Sequence, residues 1–579
     1  MKRAVGTVLA CLLAIALAFG NDDNAGVPKD EHKTRSAQAT TQAINARLER
    51  VENAMEAQQE QIEQLRQQLQ VRDSTIQRLQ QQVDQDQTVV TEAEQKADAA
   101  ASNGDAAVSL VRNQVSDLRS NEANTALRQE AQQSVSAPEG PLAIHFKGIT
   151  LTPGGFMDAT GIYRTHNENA DGGSTFAGIP FSGTANSQLS EFRGTGRETR
   201  LSLLAEGRIK DWKASGYAEF DFEGAAPTAN EIESNSFQPR SRQLWGQVEF
   251  HNGLSVAGGQ TWSLLTTDRS GIALRNEWVP ATIDLQYVVG YNWARQFSLR
   301  VTKKFGNNFW AAIAVENPET TLNVTNAPPD VFGFNTSSNA MTPASLFTLS
   351  NTPGANGIST DLAPDLIGKV VLEPGWGHFE VKALGRFFRD RFGARNQYTE
   401  GGGGGVAAIL PVLKDKLDVI LEGMVGVGIG RYASGQGPDV TLRPNATIVP
   451  LHELQTMAGV EAHPGSRLDL YLYGGDEYYG RAAHLNAAGL PVGYGSPLNN
   501  NSGCEVEVPT ATQPCQAQTR NLWEVEPGFW YRFYKGPRGT VQWGMSYSYV
   551  YRQTWAGAGG LQPKGIENMV MSSFRYVLP

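Results

Sequence analysis

From about residue 141 onward the sequence predicts an all-β transmembrane barrel of about sixteen antiparallel strands. Residues 36–135 predict an α-helical coiled coil ahead of it. Three observations carry this reading. Apolar and polar residues alternate along segment after segment, which is the period of a strand with two unlike faces. The segments are joined in turn by very short and very long links. Ahead of them runs a heptad pattern without Pro or aromatic residues. The short links are Ile209-Lys210-Asp211, His251-Asn252-Gly253, Gly306-Asn307-Asn308, Pro374-Gly375, Lys414-Asp415, Pro464-Gly465 and Lys535-Gly536-Pro537-Arg538. Longer links fall near 164–196, 224–239, 263–294, 317–364, 390–403, 431–450, 476–519 and 553–564. Seven short and eight long links make sixteen strands with both ends on the short-turn side. That is the organisation of an outer-membrane barrel, with short periplasmic turns and long external loops.

At the N-terminus, Lys2 and Arg3 precede an apolar run from Ala4 to Ala18, and polar Asn21-Asp22-Asp23 follow. Residues 1–20 read as a secretory signal peptide and 21–35 as a linker. Cys11 lies inside the apolar run and is expected to leave with it. That leaves Cys504 and Cys515 in the long link 476–519, an even pair in an exported chain, which predicts a disulfide that stiffens the loop. None of the eight His flanks either Cys, so no metal ligand set and no cofactor is expected.

Leu48, Val51, Met55, Ile62, Leu65, Leu69, Ile76, Leu79 and Val83 keep one 3-4 spacing, with Gln58 and Arg72 in the same seam. A two-in-seven seam favours association between helices over an amphipathic helix lying on the barrel. Val108, Val111, Val115 and Leu118 resume it after Asn103-Gly104. A continuous helix here would reach roughly 150 Å at ~1.5 Å per residue. Preceding the first strand, it is expected on the periplasmic side as an oligomerisation stalk.

Strand alternation assigns the two faces of the wall. Leu201, Leu203 and Ala205 oppose Glu198, Arg200, Ser202 and Glu206. Ala218, Phe220 and Phe222 oppose Tyr217, Glu219 and Asp221. Phe297, Leu299 and Val301 oppose Gln296, Ser298, Arg300 and Thr302. Phe379, Val381, Ala383 and Phe387 oppose Glu380, Lys382 and Arg386. The apolar sets are expected toward lipid and the charged sets toward the lumen. Trp543, Met545, Tyr547, Tyr549 and Tyr551 form an outward aromatic row, as in an interface girdle.

The net charge of −10 averages two unlike parts, because from residue 141 there are 24 Arg against 11 Lys. Arg keeps its charge and fits a carboxylate with a planar fork, and Arg rings in a pore favour anions. Arg200, Arg300 and Arg386 are the wall candidates. Arg242, Arg269, Arg275 and Arg295 lie within or near the third long link. The bland alternative is that Arg–Glu pairs only brace the lumen. That third link carries Trp262, Leu264, Leu265, Trp278, Ile283, Tyr287, Val288, Val289, Tyr291 and Trp293. So apolar a segment is expected to fold into the barrel mouth as a constriction or to pack between subunits.

The stretches Thr199-Arg200-Leu201, Gly258-Gly259-Gln260-Thr261-Trp262-Ser263 and Arg295-Gln296-Phe297-Ser298-Leu299-Arg300-Val301-Thr302 resemble the DcaP-like outer-membrane porins, and so does the leading coiled coil. The resemblance implies a trimeric sixteen-stranded channel, basic at its constriction, passing dicarboxylates and related small anions. Carried onto this sequence, it supports Arg200, Gln260, Gln296 and Arg300. With Arg269, Arg275 and Arg386 these make the expected pore-lining set.

The expected partners are therefore a second and third copy of the chain, outer-membrane lipid and small anionic solutes, with no nucleic acid. An adhesive anchor with a stalk is the competing reading. An enzyme is not expected: His145, His251, His378 and His463 lie near strand ends with no Ser at the same level. Tyr471, Tyr473, Tyr478 and Tyr479 would suit an aromatic slide for sugars. Gly401–Gly405 reads as a flexible loop end, and Gly423–Gly430 as barrel wall.

Overall fold

The structure is a computed structural model that describes residues 143–168, 170–224, 238–328, 331–332, 359–510 and 512–579. The expected signal peptide, linker and coiled coil lie outside the described residues.

Sixteen antiparallel strands close into one barrel. They are β1 (Ile149–Arg164), β2 (Arg200–Ile209), β3 (Trp212–Gly224), β4 (Gln238–Glu249), β5 (Leu254–Trp262), β6 (Arg295–Phe305), β7 (Phe309–Glu316) and β8 (Asp365–Leu372). The remainder are β9 (His378–Phe392), β10 (Arg395–Leu413), β11 (Leu417–Val427), β12 (His452–Gly465), β13 (Leu468–Tyr479), β14 (Thr519–Gly536), β15 (Gly539–Thr554) and β16 (Lys564–Val577). Each pairs with its neighbours in sequence, and β1 closes the ring. Its first half pairs with β2 (Ile149↔Gly207 to Phe156↔Arg200) and its second with β16 (Phe156↔Val577 to Arg164↔Met569). Closure leaves no unpaired sheet edge, which a lipid-embedded sheet requires.

The faces follow the alternation. Leu201, Leu203, Phe297, Leu299, Val381, Leu470 and Leu472 are exposed on the outside, while Glu219, Asp221, Gln296, Arg300, Glu380, Lys382 and Arg386 are buried inside. On β15 the outward Tyr547 is exposed, and the intervening Ser546, Ser548 and Arg552 are buried. The short turns are tight, with Gly253 and Gly306 at positive φ (79° and 61°), a conformation that Gly adopts without steric cost. Cys504 and Cys515 form a disulfide in the loop between β13 and β14.

One link differs from expectation. Instead of a long loop over 390–403, only Gly393 and Ala394 separate β9 from β10, and the ladder runs unbroken from Phe392↔Arg395 to His378↔Ile409. The glycines of 401–405 are strand, not loop end. A Cβ on Gly401 would meet the Phe388 ring at 2.5 Å, and one on Gly428 would meet it at 2.6 Å. The glycines make room for a buried aromatic ring, and the polar residues flanking them extend the strands past the apolar belt.

Candidate functional site

Residues 263–294, between β5 and β6, fold into the barrel. Leu264, Leu265, Trp278, Ile283, Val288, Val289 and Tyr291 are buried there, so the core of this protein is a loop packed on the inner wall. Irregular backbone away from water needs acceptors for its N–H groups. The wall supplies them as carboxylates, which only accept when ionised. Leu264 N donates to Glu316 (2.8 Å), Asp268 N to Glu380 (2.8 Å), Val289 N to Glu524 (2.8 Å), Gly290 N to Glu477 (2.8 Å) and Asn292 N to Glu422 (2.5 Å). Trp278 Nε1 adds a bond to Glu461 (3.1 Å) and the Thr282 hydroxyl one to Glu526 (2.5 Å). These acids sit on β7, β9 and β11–β14, so the loop lies against that half of the barrel. Two glycines allow the approach: a Cβ on Gly475 would stand 1.7 Å from Val289 O, and one on Gly290 would stand 2.0 Å from Thr456 O.

Lys369, Lys382 and Arg386 pair with acids on that half, and a second group of cations lies on β2–β6. Arg242 is fully buried; its Nε donates to Glu219 (2.8 Å), Nη1 to Asp221 (2.9 Å) and Nη2 to the Tyr287 hydroxyl (3.2 Å). Arg240 grips Asp221 bidentately at 2.9 and 2.7 Å. Arg200 lies 3.9 Å from Glu219 and 5.1 Å from the Phe156 ring centre. Arg295 is different. Its guanidinium sits 5.4 Å from both the Trp262 and the Trp293 rings, and Nε and Nη1 have no hydrogen-bond partner. Among the described residues no carboxylate forms an ion pair with it. Trp262, Trp293 and Tyr287 pack on one another at 5.1–5.9 Å around it. The Tyr287 phenol reports the local field. Burial would raise it, but Arg242, Arg295 and Arg200 hold it below its ordinary value. Four Arg (200, 240, 242, 295) cluster beside the loop around two directly paired carboxylates (Glu219, Asp221), with Glu223, held by Arg197, near Arg240 and Arg242.

Of the residues expected to line the pore, Arg200 belongs to this cluster. Arg275, within the loop, is exposed with its guanidinium 4.8 Å over the Tyr217 ring. Arg269 is exposed at the loop's far end, next to Gly271, whose N–H reaches Glu373 by the β8–β9 turn. The other four stand elsewhere. Gln260 pairs in register with Leu244 and Phe297, both exposed on the outer face, and its amide donates to the carbonyls of Ser241 and Arg242. The β3–β4 register skips Arg242, and this irregularity leaves those carbonyls needing a donor. Gln296 is buried between Glu316, Tyr432 and Arg431. Arg300 donates to Trp262 O (2.7 Å) and so fixes the start of the loop. Arg386 is 1 % exposed and committed to Asp365, Asp439 and the carbonyls of Gly428 and Glu319.

The tyrosines form no slide. Tyr471, Tyr473 and Tyr479 are buried, and Tyr473 bonds both Ala281 N and Glu461. Sequence reasoning placed Glu219 and Glu380 on the lumen face but missed Glu316, Glu422, Glu461, Glu477, Glu524 and Glu526, and it underweighted Arg295, although Trp293 two residues before it was visible.

No family model and no curated protein matches the chain. Among solved structures, the outer-membrane channel DcaP of Acinetobacter baumannii superposes with a TM-score of 0.52 at 17% identity, covering 75% of this chain and 99% of that one. The barrel has the DcaP-type outer-membrane channel fold. An anion-selective porin from Comamonas acidovorans aligns at a TM-score of 0.39 and 10% identity over 74% of this chain and 100% of that one. OprB of Pseudomonas putida aligns at 0.39 and 12% identity, over 73% of this chain and 94% of that one.

Proposed function

We propose that this protein is an outer-membrane diffusion porin whose constriction prefers small anions, dicarboxylates among them. In this reading it works as a homotrimer with the heptad segment as a periplasmic stalk. The observation that carries the reading is the guanidinium cluster facing the inserted loop, above all Arg295, which forms no ion pair among the described residues. The DcaP-type fold and the resemblance in the β5 and β6 stretches support it.

The mechanism is passive. The loop narrows the lumen, the acids opposite are occupied by its N–H groups, and the Arg side lowers the energy of a passing anion. The guanidinium forks of Arg200 and Arg295 act on a passing carboxylate through their charge, their Nε atoms being shielded from solvent. The indoles flanking Arg295 keep that fork in place and exclude water from its faces.

The test is single-channel conductance and reversal potential of the full chain in a planar bilayer under a chloride gradient, followed by succinate. The expected result is an anion-selective current that succinate blocks. A cation-preferring or unblocked current would refute the preference and leave a general porin. Absence of current would favour the anchor reading.

A further inference from the structure

At the short-turn end of the lumen, four neighbouring strands assemble a cluster that anion passage does not use. Asp418 (β11) and Glu461 (β12) are direct ladder partners, and His463 follows two residues on, on the same inward face. One ligand atom from each of the three lies within 4.8 Å of the others. His463 Nδ1 is 2.8 Å from Asp469 Oδ1 on β13, and Arg532 on β14 holds the other oxygen of Asp469. An ionised Asp469 can only accept, so the imidazole donates from Nδ1. In the neutral ring this turns the Nε2 lone pair toward Asp418 Oδ2, 4.0 Å away.

A lone pair facing a carboxylate with no proton between them is an arrangement a cation relieves. Carboxylate, imidazole and metal in series is also how metal-bound histidines are commonly oriented. Glu461 is fixed as well: Oε1 takes Trp278 Nε1 (3.1 Å) and the Tyr473 hydroxyl (2.8 Å), leaving Oε2 for an ion. Ligands about 2.0–2.2 Å from a tetrahedral zinc stand roughly 3.4 Å apart, so the 4.0 Å His463–Asp418 gap needs to close by under ~1 Å, and no pair in the cluster, all within 4.8 Å, by more than ~1.4 Å. The side chains of His463 and Asp418 are 32% and 28% exposed, so water can complete the shell. An imidazole ligand favours a transition ion over Mg²⁺ or Ca²⁺, which take oxygen.

We infer that Asp418, Glu461 and His463 form a divalent-metal site of the zinc type inside the periplasmic mouth, with Asp469 as the residue that positions His463. The site is independent of the anion preference proposed above.

The test is calorimetric titration of the untagged, chelator-treated full chain with Zn²⁺, with Mg²⁺ as control. The expected result is one saturable Zn²⁺ site per chain and none for Mg²⁺. H463Q and D418N should abolish it, and D469N should weaken it roughly 10- to 100-fold, the usual cost of losing such a partner. Retained heat-modifiable migration and wild-type conductance show that each variant still forms the barrel. Glu461 is left intact because it also anchors Trp278. Absence of saturable Zn²⁺ binding, or binding unchanged in H463Q, overturns the proposal and makes His463 an imidazolium bridging Asp418 and Asp469. Unchanged affinity in D469N overturns the positioning role.

Discussion

Replacing Arg295 by Gln tests the anion reading most directly. The substitution removes one positive charge that forms no ion pair among the described residues, and it leaves a shorter polar side chain between Trp262 and Trp293. A unit charge and an anion 4 Å apart attract by about 1 kcal/mol at the dielectric of water and about 4 kcal/mol at a dielectric near 20. Arg295 is half-buried between indoles, with Nε and Nη1 shielded from solvent, which places the interaction between those limits. A loss of about 1–2 kcal/mol corresponds to succinate block weaker by roughly 5- to 30-fold, with a matching fall in chloride-over-potassium preference. The assay is succinate titration of the chloride current through single channels. R386Q is the contrasting variant. Arg386 is closed off behind Asp365 and Asp439, so breaking that buried network costs about 3–5 kcal/mol of stability. The channels that still form should keep wild-type block. The same succinate affinity in R295Q as in the wild type, or a selectivity change confined to R386Q, would refute the assignment of the field to the Arg295 side.

Two further perturbations address the loop itself. Gly475→Val puts side-chain atoms where Val289 O now sits, with its Cβ within 1.7 Å, so the loop leaves the wall and conductance rises; unchanged conductance would show that the loop does not constrict. Glu277 supplies a pH dependence. Burial and then Asp268 push its carboxyl up to about 7. Its folded value lies above the ordinary 4.5, so the folded chain holds the extra proton between 4.5 and 7 and stability falls as pH rises through that window. Above about 7 the inserted loop gains a negative charge, close to Arg300. Chloride preference should therefore drop between pH 6 and pH 8 in reversal-potential measurements, and E277Q should remove the drop.

The barrel was legible because a two-residue period and alternating link lengths are local properties of the chain. The fifth long link failed for a local reason too. Glycines at 401–405 imitate a loop until their neighbours are known: the Phe388 ring of the preceding strand at Gly401, and the backbone of the flanking strands at Gly402, Gly403 and Gly405. The lumen shows the deeper limit. Alternation told that Arg300 and Arg386 point inward, but whether an inward cation meets solute or braces the wall depends on partners far along the chain. Asp439, which occupies Arg386, is 53 residues away, and Trp262, whose carbonyl occupies Arg300, is 38 away.

The same argument reverses the meaning of the net charge. Most of the inward acids on β7, β9 and β11–β14 are engaged by N–H and O–H donors of the inserted loop, from Leu264 against Glu316 to Thr282 against Glu526. Glu380 and Glu422 are in addition paired with Lys369 and Lys382, whereas Arg295 forms no ion pair among the described residues. A chain with a formal charge of −10 can therefore present a positive constriction. The sign a solute meets is set by which charges the loop leaves unengaged, a quantity that composition does not contain and barrel closure creates.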